Sequence, residues 1–344
     1  MTDLPEDALQ NPPEHSLPRA DATPLASPPG ENLAPLHCDA HPVAAAPPDP
    51  SSPSTSPIGA EQPIFSSCVQ EPVHRPVRIP HFGHLMLLLL LLGAASVLMM
   101  LAIFAAVHFH LFGWQFSTLS SSDFRFDLFS EALLYLVTFG FCLFVFPMVW
   151  NQGYFQGLEW RAAAAKSKFP LLAGTAAVCF GLALVDQYLM PGPANAPIEK
   201  MISSPGAAWL MFAFGTTMAP FFEEMFFRGF LLPALCTACD WSAERMKGTL
   251  ARPLDGDGHP QWSMPAMVIG SMLTSICFAL LHVAQQGHSL GPFLLLIVVS
   301  LVLCAVRLKT RSLAASTLVH ASYNFLLFSV MLIGTEGFRH LDKM

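Results

Sequence analysis

Charge is scarce in this chain. Lysine, arginine, aspartate and glutamate together supply only 12% of its 344 residues. A soluble domain carries about 25%, so the shortfall excludes an ordinary water-soluble globule. The charge that exists is uneven. Residues 1–80 hold ten acidic and three basic residues and so carry the whole formal net charge of −7, whereas residues 81–344 hold fourteen of each. With no basic excess, no nucleic-acid partner is expected. An early apolar h-region is also missing, and the N-terminal stretch is acidic; it does not read as a secretory signal peptide. Cysteine is sparse and scattered, eight in all, and Cys236-Thr237-Ala238-Cys239 is a lone CxxC. Without a second pair at suitable spacing it supports neither a zinc site nor a redox role.

In place of charge there is apolar surface. Hydrophobic residues make up 53% of the chain, the composition of a polytopic membrane protein. Proline is concentrated at the other end of the scale: residues 1–80 contain 18 of the 30 prolines. That segment has no periodic apolar face and cannot bury enough surface to offset its ordering entropy. Residues 1–77 are therefore expected to form a disordered, acidic, Pro-rich cytoplasmic tail, a tether and a candidate partner-docking segment. Residues 78–335 are expected to form the membrane domain, with residues 336–344 a short C-terminal tail.

A crossing helix needs about 20 apolar residues. Seven stretches qualify, near 84–112, 128–150, 168–190, 207–235, 264–285, 290–309 and 312–333; an eighth would follow if two short segments lie merged within one of them. The fold class is all-α, a helical membrane bundle. Pro220 and Pro233 are expected to kink the fourth crossing. Lys and Arg are rich before the first crossing (Arg75, Arg78) and in alternate loops thereafter (Arg161, Lys166, Lys168; Arg245, Lys247, Arg252; Arg307, Lys309, Arg311). The positive-inside rule then puts the N-terminus in the cytoplasm.

Against this background FFEEMFFRGF, residues 221–230, stands out. An ionised group at the bilayer centre costs roughly 2.5–3.5 kcal/mol on insertion scales, and this stretch has three. Glu131 and Asp186 lie near helix ends, where an interface hydrates them. Glu223, Glu224 and Arg228 do not, nor do His282 on the fifth crossing and His320 and Asn324 on the seventh. Glu224 and Arg228 are four apart, share a helical face and can pair. Glu223 is rotated by about 100° from its neighbour, lacks that cation and is left free for general-base work. With His282 it can hold and activate a water. His320 and Asn324, also four apart, form one face able to offer donors to an oxyanion. Polar residues that merely glue helices together, in a non-catalytic scaffold, or that relay protons in a transporter are the rival readings.

Glu223-Glu224-Met225-Phe226-Phe227-Arg228, then Phe278 to His282, then His320 to Asn324, in that order on separate apolar helices, resemble the EExxxR, FxxxH and HxxxN motifs of the CAAX protease and bacteriocin-processing (CPBP, or Abi) family, which includes type II CAAX prenyl endopeptidases. The motif core spans about residues 205–330. The resemblance implies an intramembrane endopeptidase acting on a membrane-associated peptide or protein within the lipid bilayer, or a bacteriocin-immunity protein, with a bacterial plasma membrane as its location. It implies Glu223, His282, His320 and Asn324 as catalytic residues, with Glu224 and Arg228 in support. No cofactor is required by a glutamate-activated water; if a divalent metal is present, Glu223, His282 and His320 are its expected ligands. The chain has no HExxH, which excludes a standard zincin or site-2-type protease. Nor does it show the Gly-x-Ser-Gly of rhomboids or the Gly-x-Gly-Asp of presenilin-like proteases.

The motifs must meet at one depth. At 1.5 Å per residue Glu223 lies about 18 Å from residue 235, His282 about 27 Å from 264, His320 about 12 Å from 312 and Asn324 about 18 Å. The spread closes if the fifth crossing starts a turn or two outside the hydrocarbon, after Ser263-Met264-Pro265, aided by tilt and by the Pro220 kink. A polar, water-accessible cavity in the cytoplasmic half, with a lateral entrance, is the expected result.

Overall fold

The structure, a computed structural model, describes residues 79–111, 124–190, 204–249, 252–255 and 260–341. The expected Pro-rich tail, residues 1–77, lies outside the described residues. Regular structure among them is helical, with one isolated bridge between Leu254 and Pro260.

The long helices are α1 (Phe82–His108), α2 (Phe124–Trp150) and α3 (Phe169–Leu189), followed by α4 (Pro205–Thr216), α5 (Met218–Glu224), a π-helical segment (Met225–Leu231) and α6 (Leu232–Lys247), then α7 (Met264–His282), α8 (Leu290–Thr310) and α9 (Leu313–Gly334). Two short turns, Tyr154–Gly157 and Ala162–Ser167, join α2 to α3. Their starts follow sequence rules. Ser204, Ser263 and Ser312 cap α4, α7 and α9 by accepting from the backbone N–H three residues on, which satisfies an otherwise orphaned donor. Pro205 and Pro265 sit in the first turns, where a missing N–H does no harm.

Among the described residues six helices, α1, α2, α3, α7, α8 and α9, are long and apolar enough to cross a membrane. They make the chain an all-α helical membrane bundle. The seventh expected crossing, 207–235, needs correction: it is a chain of segments, none longer than 16 residues. Its breaks have chemical causes. Thr217 leaves helical geometry at φ −124° and ψ −70°, and Pro220 lies three residues on, its ring incompatible with the Thr216 carbonyl in a regular turn. Thr216 and Thr217 turn their hydroxyls back onto the Phe212 and Ala213 carbonyls. The π segment sits directly before Pro233, which has no N–H for the Gly229 carbonyl. The helical path also runs twelve residues past the expected end at 235. The polar residues after 235 resemble a loop by hydropathy, but α6 needs no apolar surroundings to form, and Gly248 closes it in the left-handed conformation, φ +64°.

A polar clasp joins α6 to the start of α7. The Asp240 carboxylate accepts from Ser263 N (2.8 Å) and Ser263 Oγ (2.5 Å), and Trp262 Nε1 donates to Thr237 Oγ1 at 3.0 Å. The two helices touch at Gly270, where an added Cβ would come within 2.7 Å of Cys236 Sγ; the cysteine of the lone CxxC is thus a packing residue. A second clasp holds the α8–α9 turn. Arg307 pairs with Glu159 at 2.6 Å, Leu313 N donates to Glu159 O at 3.0 Å, and Ser312 Oγ donates to Arg161 O at 2.9 Å. A core of the aromatic Phe146, Trp150, Tyr154 and Phe230, together with Leu158, packs beneath it. At the other end Phe338, beyond α9, is fully buried against Trp209 and Phe212.

Candidate active site

The two clasps set the depth of every motif residue. Leu313 packs on Gly229, 3.4 Å from where a Cβ would stand, so the α8–α9 turn is level with Gly229. Asp240 lies eleven residues further along. The α6–α7 hairpin therefore projects about 16 Å beyond the α8–α9 turn, at 1.5 Å per residue. That is three turns, more than the one or two expected. Glu223 and His282 both hang from the Asp240–Ser263 clasp, at about 26 and 28 Å of helix. His320, seven residues from Leu313, reaches the same level from the shorter hairpin.

The result is convergence. Glu223 Oε1 is 3.7 Å from His282 Nε2, and Glu223 Oε2 is 3.6 Å from His320 Nε2. Neither separation is a direct hydrogen bond; a water within hydrogen-bond reach of both atoms of a pair lies to one side of the line joining them. The side chains of Glu223 and His282 are 19% and 20% exposed, whereas those of Glu224 and Arg228 are fully buried. Adjacent glutamates thus live in different media, one at a cavity wall and one inside the bundle.

Behind the wall the buried charges are bound together. Arg228 donates to Glu224 Oε1 at 2.8 Å, to Ser300 Oγ at 2.7 Å and to Ser300 O at 3.2 Å. Its guanidinium also lies 4.9 Å from the centre of the Phe278 ring, within cation–π range. Glu224 Oε1 receives His320 Nδ1 at 3.0 Å. One carboxylate oxygen therefore ties α5, the π segment and α9 together, and the arginine adds α8. His282 Nδ1 lies 2.8 Å from the Phe278 carbonyl. A carbonyl can only accept, so Nδ1 carries the proton and, in the neutral ring, Nε2 faces Glu223 with a lone pair.

Asn324 stands apart from this group. Its amide donates to the Gly215 carbonyl at 2.8 Å, one of the last carbonyls before the Thr217 break. Ser300 has no counterpart in the sequence reading: it lies on a helix with no motif, and nothing in SLVLCAVR marks it. Glu131, read as an interfacial residue, is seven residues inside α2 and lines the same cavity as Glu223 and His282. That cavity holds about 480 Å³. It is not the polar chamber expected: its walls are mostly apolar, with Glu131, Tyr135, Glu223, His282 and Gln285 as the main polar groups. Among the described residues no group of three or more His, Cys, Asp or Glu is arranged to hold a metal ion.

No curated protein and no solved structure matches the chain. A family model does: residues 205–326, about a third of the chain, match the one described as type II CAAX prenyl endopeptidase Rce1-like. The match covers α4 through most of α9, the stretch that supplies all six motif residues. Residues 205–326 are accordingly similar to the Rce1-like domain, consistent with the CPBP, or CAAX protease, family.

Proposed function

We propose that this chain is an intramembrane endopeptidase that hydrolyses a peptide bond of a membrane-associated peptide or protein by a glutamate-activated water. The observation that carries the reading is the approach of Glu223 to within 3.6–3.7 Å of both His320 and His282 at a cavity wall. The Rce1-like match supports the same class of reaction.

In this mechanism a water is held beside two acceptors, the Glu223 carboxylate and the bare Nε2 of His282. Each takes one of its hydrogens, so the oxygen lone pairs are turned to the substrate carbonyl carbon. On attack Glu223 accepts the water proton, a C–O bond forms, and the carbonyl oxygen becomes an oxyanion. His320, as an imidazolium, donates from Nδ1 to Glu224 and from Nε2 to that oxyanion. Asn324 has a second amide hydrogen beyond the one given to Gly215 and is the other proposed donor. Collapse of the intermediate breaks the C–N bond, and Glu223 returns its proton to the leaving amine. No step runs through a metal. Glu224, Arg228 and Ser300 hold His320 and the broken helix in register. The N-terminus is proposed to face the cytoplasm of a bacterial plasma membrane, from the Lys and Arg alternation and the family resemblance respectively.

The test is comparative peptidomics of membranes carrying the wild-type chain or Glu223→Gln, with purified protein in proteoliposomes for any peptide that changes. Loss of cleavage in the folded Glu223→Gln variant is the expected result, with EDTA leaving the wild-type rate unchanged. Full activity in Glu223→Gln would end the mechanism.

A further inference from the structure

The cavity has two unlike ends. Along α2 the lining residues Glu131, Tyr135, Thr138, Phe139 and Cys142 form one stripe at helical spacing. The stripe runs beside α5 and the π segment in the same direction. The Tyr135 ring lies 4.9 Å from that of Phe222, next to Glu223, while Phe146, one turn past Cys142, lies 4.9 Å from Phe230. Tyr135 and Glu131 are thus at the Glu223 end, and Cys142, Met225 and Phe230 are at the other, which is apolar.

The polar end is also one-sided in charge. Two carboxylates, Glu131 and Glu223, line the cavity, and among the described residues its lining contains no lysine or arginine. Arg228 is spent behind the wall on Glu224 and Ser300. Glu131 is exposed, and its hydrogen-bond partner is a hydroxyl, not a cation: Tyr135 Oη donates to Glu131 Oε1 at 2.8 Å. That bond fixes the carboxylate one helical turn from Tyr135 and leaves its other oxygen outside the bond, on a residue that lines the cavity. A carboxylate among apolar walls attracts a cation far more strongly than it would in water, and a charge-assisted hydrogen bond adds direction. Both residues lie on α2, outside the stretch that matches the family.

We propose that Glu131, oriented by Tyr135, is a specificity-determining residue that receives a lysine or arginine side chain of the substrate peptide beside the scissile bond. The proposal rests on the endopeptidase reading and names the substrate chemistry that it leaves open. Glu131 takes no part in the chemical step; it selects a peptide by ion pairing and so sets which bond is presented to Glu223.

The test separates binding from cleavage. The full chain bearing Glu223→Gln, in nanodiscs, is titrated with fluorescein-labelled peptides that share one apolar anchor. At each of four successive positions they carry lysine, norleucine or glutamate. At one or more positions the lysine peptide is expected to bind about tenfold tighter than its norleucine twin, as a partly desolvated ion pair gives. Adding Glu131→Gln removes that preference, and Glu131→Lys reverses it in favour of the glutamate peptide, a gain that misfolding does not produce. Tyr135→Phe lowers the preference about threefold by freeing the carboxylate. Equal binding of all three peptides at every position, or a lysine preference that survives Glu131→Gln, overturns the proposal. Failure of the wild-type chain to cleave a peptide that binds through Glu131 would instead defeat the endopeptidase reading and leave the subsite standing.

Discussion

Arg228 offers the sharpest thermodynamic test of how the bundle tolerates charge. Its side chain is fully buried, as is that of Glu224, 2.8 Å away. Replacing it with methionine keeps the length and removes the charge. Two things are lost at once. Glu224 Oε1 loses its arginine donor and keeps His320 at 3.0 Å, and the Ser300 hydroxyl loses its 2.7 Å donor. Breaking one partner out of a buried pair costs about 3–5 kcal/mol, because the remaining charge is stranded. Glu224→Gln strands the arginine and is expected to cost a similar amount. The two losses are not independent. In the double variant neither member of the Glu224–Arg228 pair is left as an unpaired charge, so the expected cost is below the sum of roughly 6–10 kcal/mol that independent sites would give. The assay is reversible unfolding in mixed micelles, followed by intrinsic tryptophan fluorescence, for the wild type and the three variants. Additive single costs would show that the pair does not act as a unit and that the buried-charge account of the motif is wrong.

The other predictions address the site and its scaffold. Glu223→Gln, at a partly exposed position, is expected to leave unfolding stability within about 1 kcal/mol of wild type while cleavage falls by at least about a hundredfold, as loss of a general base gives; a destabilised Gln variant would move Glu223 into the structural class. Asp240→Ala removes the two carboxylate acceptors of the α6–α7 clasp, leaving only the Trp262–Thr237 bond, and should cost about 1–3 kcal/mol, and activity should fall with it, since Glu223 and His282 both take their depth from that junction. Asp240→Ala with full activity in a peptidase assay would show that the clasp does not set the register. Gly270→Ala is expected to destabilise by about 1–3 kcal/mol through overpacking against Cys236, whereas Gly93→Ala, with open space around it, should be neutral or slightly stabilising in the same unfolding assay.

Much of the arrangement can be read along the chain because its causes are local. Apolar runs of about 20 residues announce seven crossings, six of which are single long helices, and the four-residue spacing of Glu224 and Arg228 announces their pairing. The projection of α6–α7 was foreseen in kind but not in size, because hydropathy ends a helix where apolar residues end, and α6 continues as a polar one. The segmentation of the fourth crossing was expressed in the sequence only as two prolines, whose carbonyl and N–H conflicts the chain resolves one turn upstream.

Other features depend on partners distant in sequence and carry no local mark. Ser300 meets Arg228 from 72 residues away, Asn324 meets Gly215 from 109, and Glu131 joins the wall opposite Glu223 only because α2 runs alongside the π segment. Sequence spacing separates Glu223 from Glu224 by rotation; it does not reveal that one side chain opens onto a cavity while the other is sealed. The composition alone committed this chain to lipid and its short-range spacing committed particular residues to buried polar roles, since both follow from transfer energies and helix geometry. Which of those groups meet, at what depth and facing what, was fixed by the Asp240–Ser263 and Glu159–Arg307 clasps, because register between helices is a matter of long-range packing.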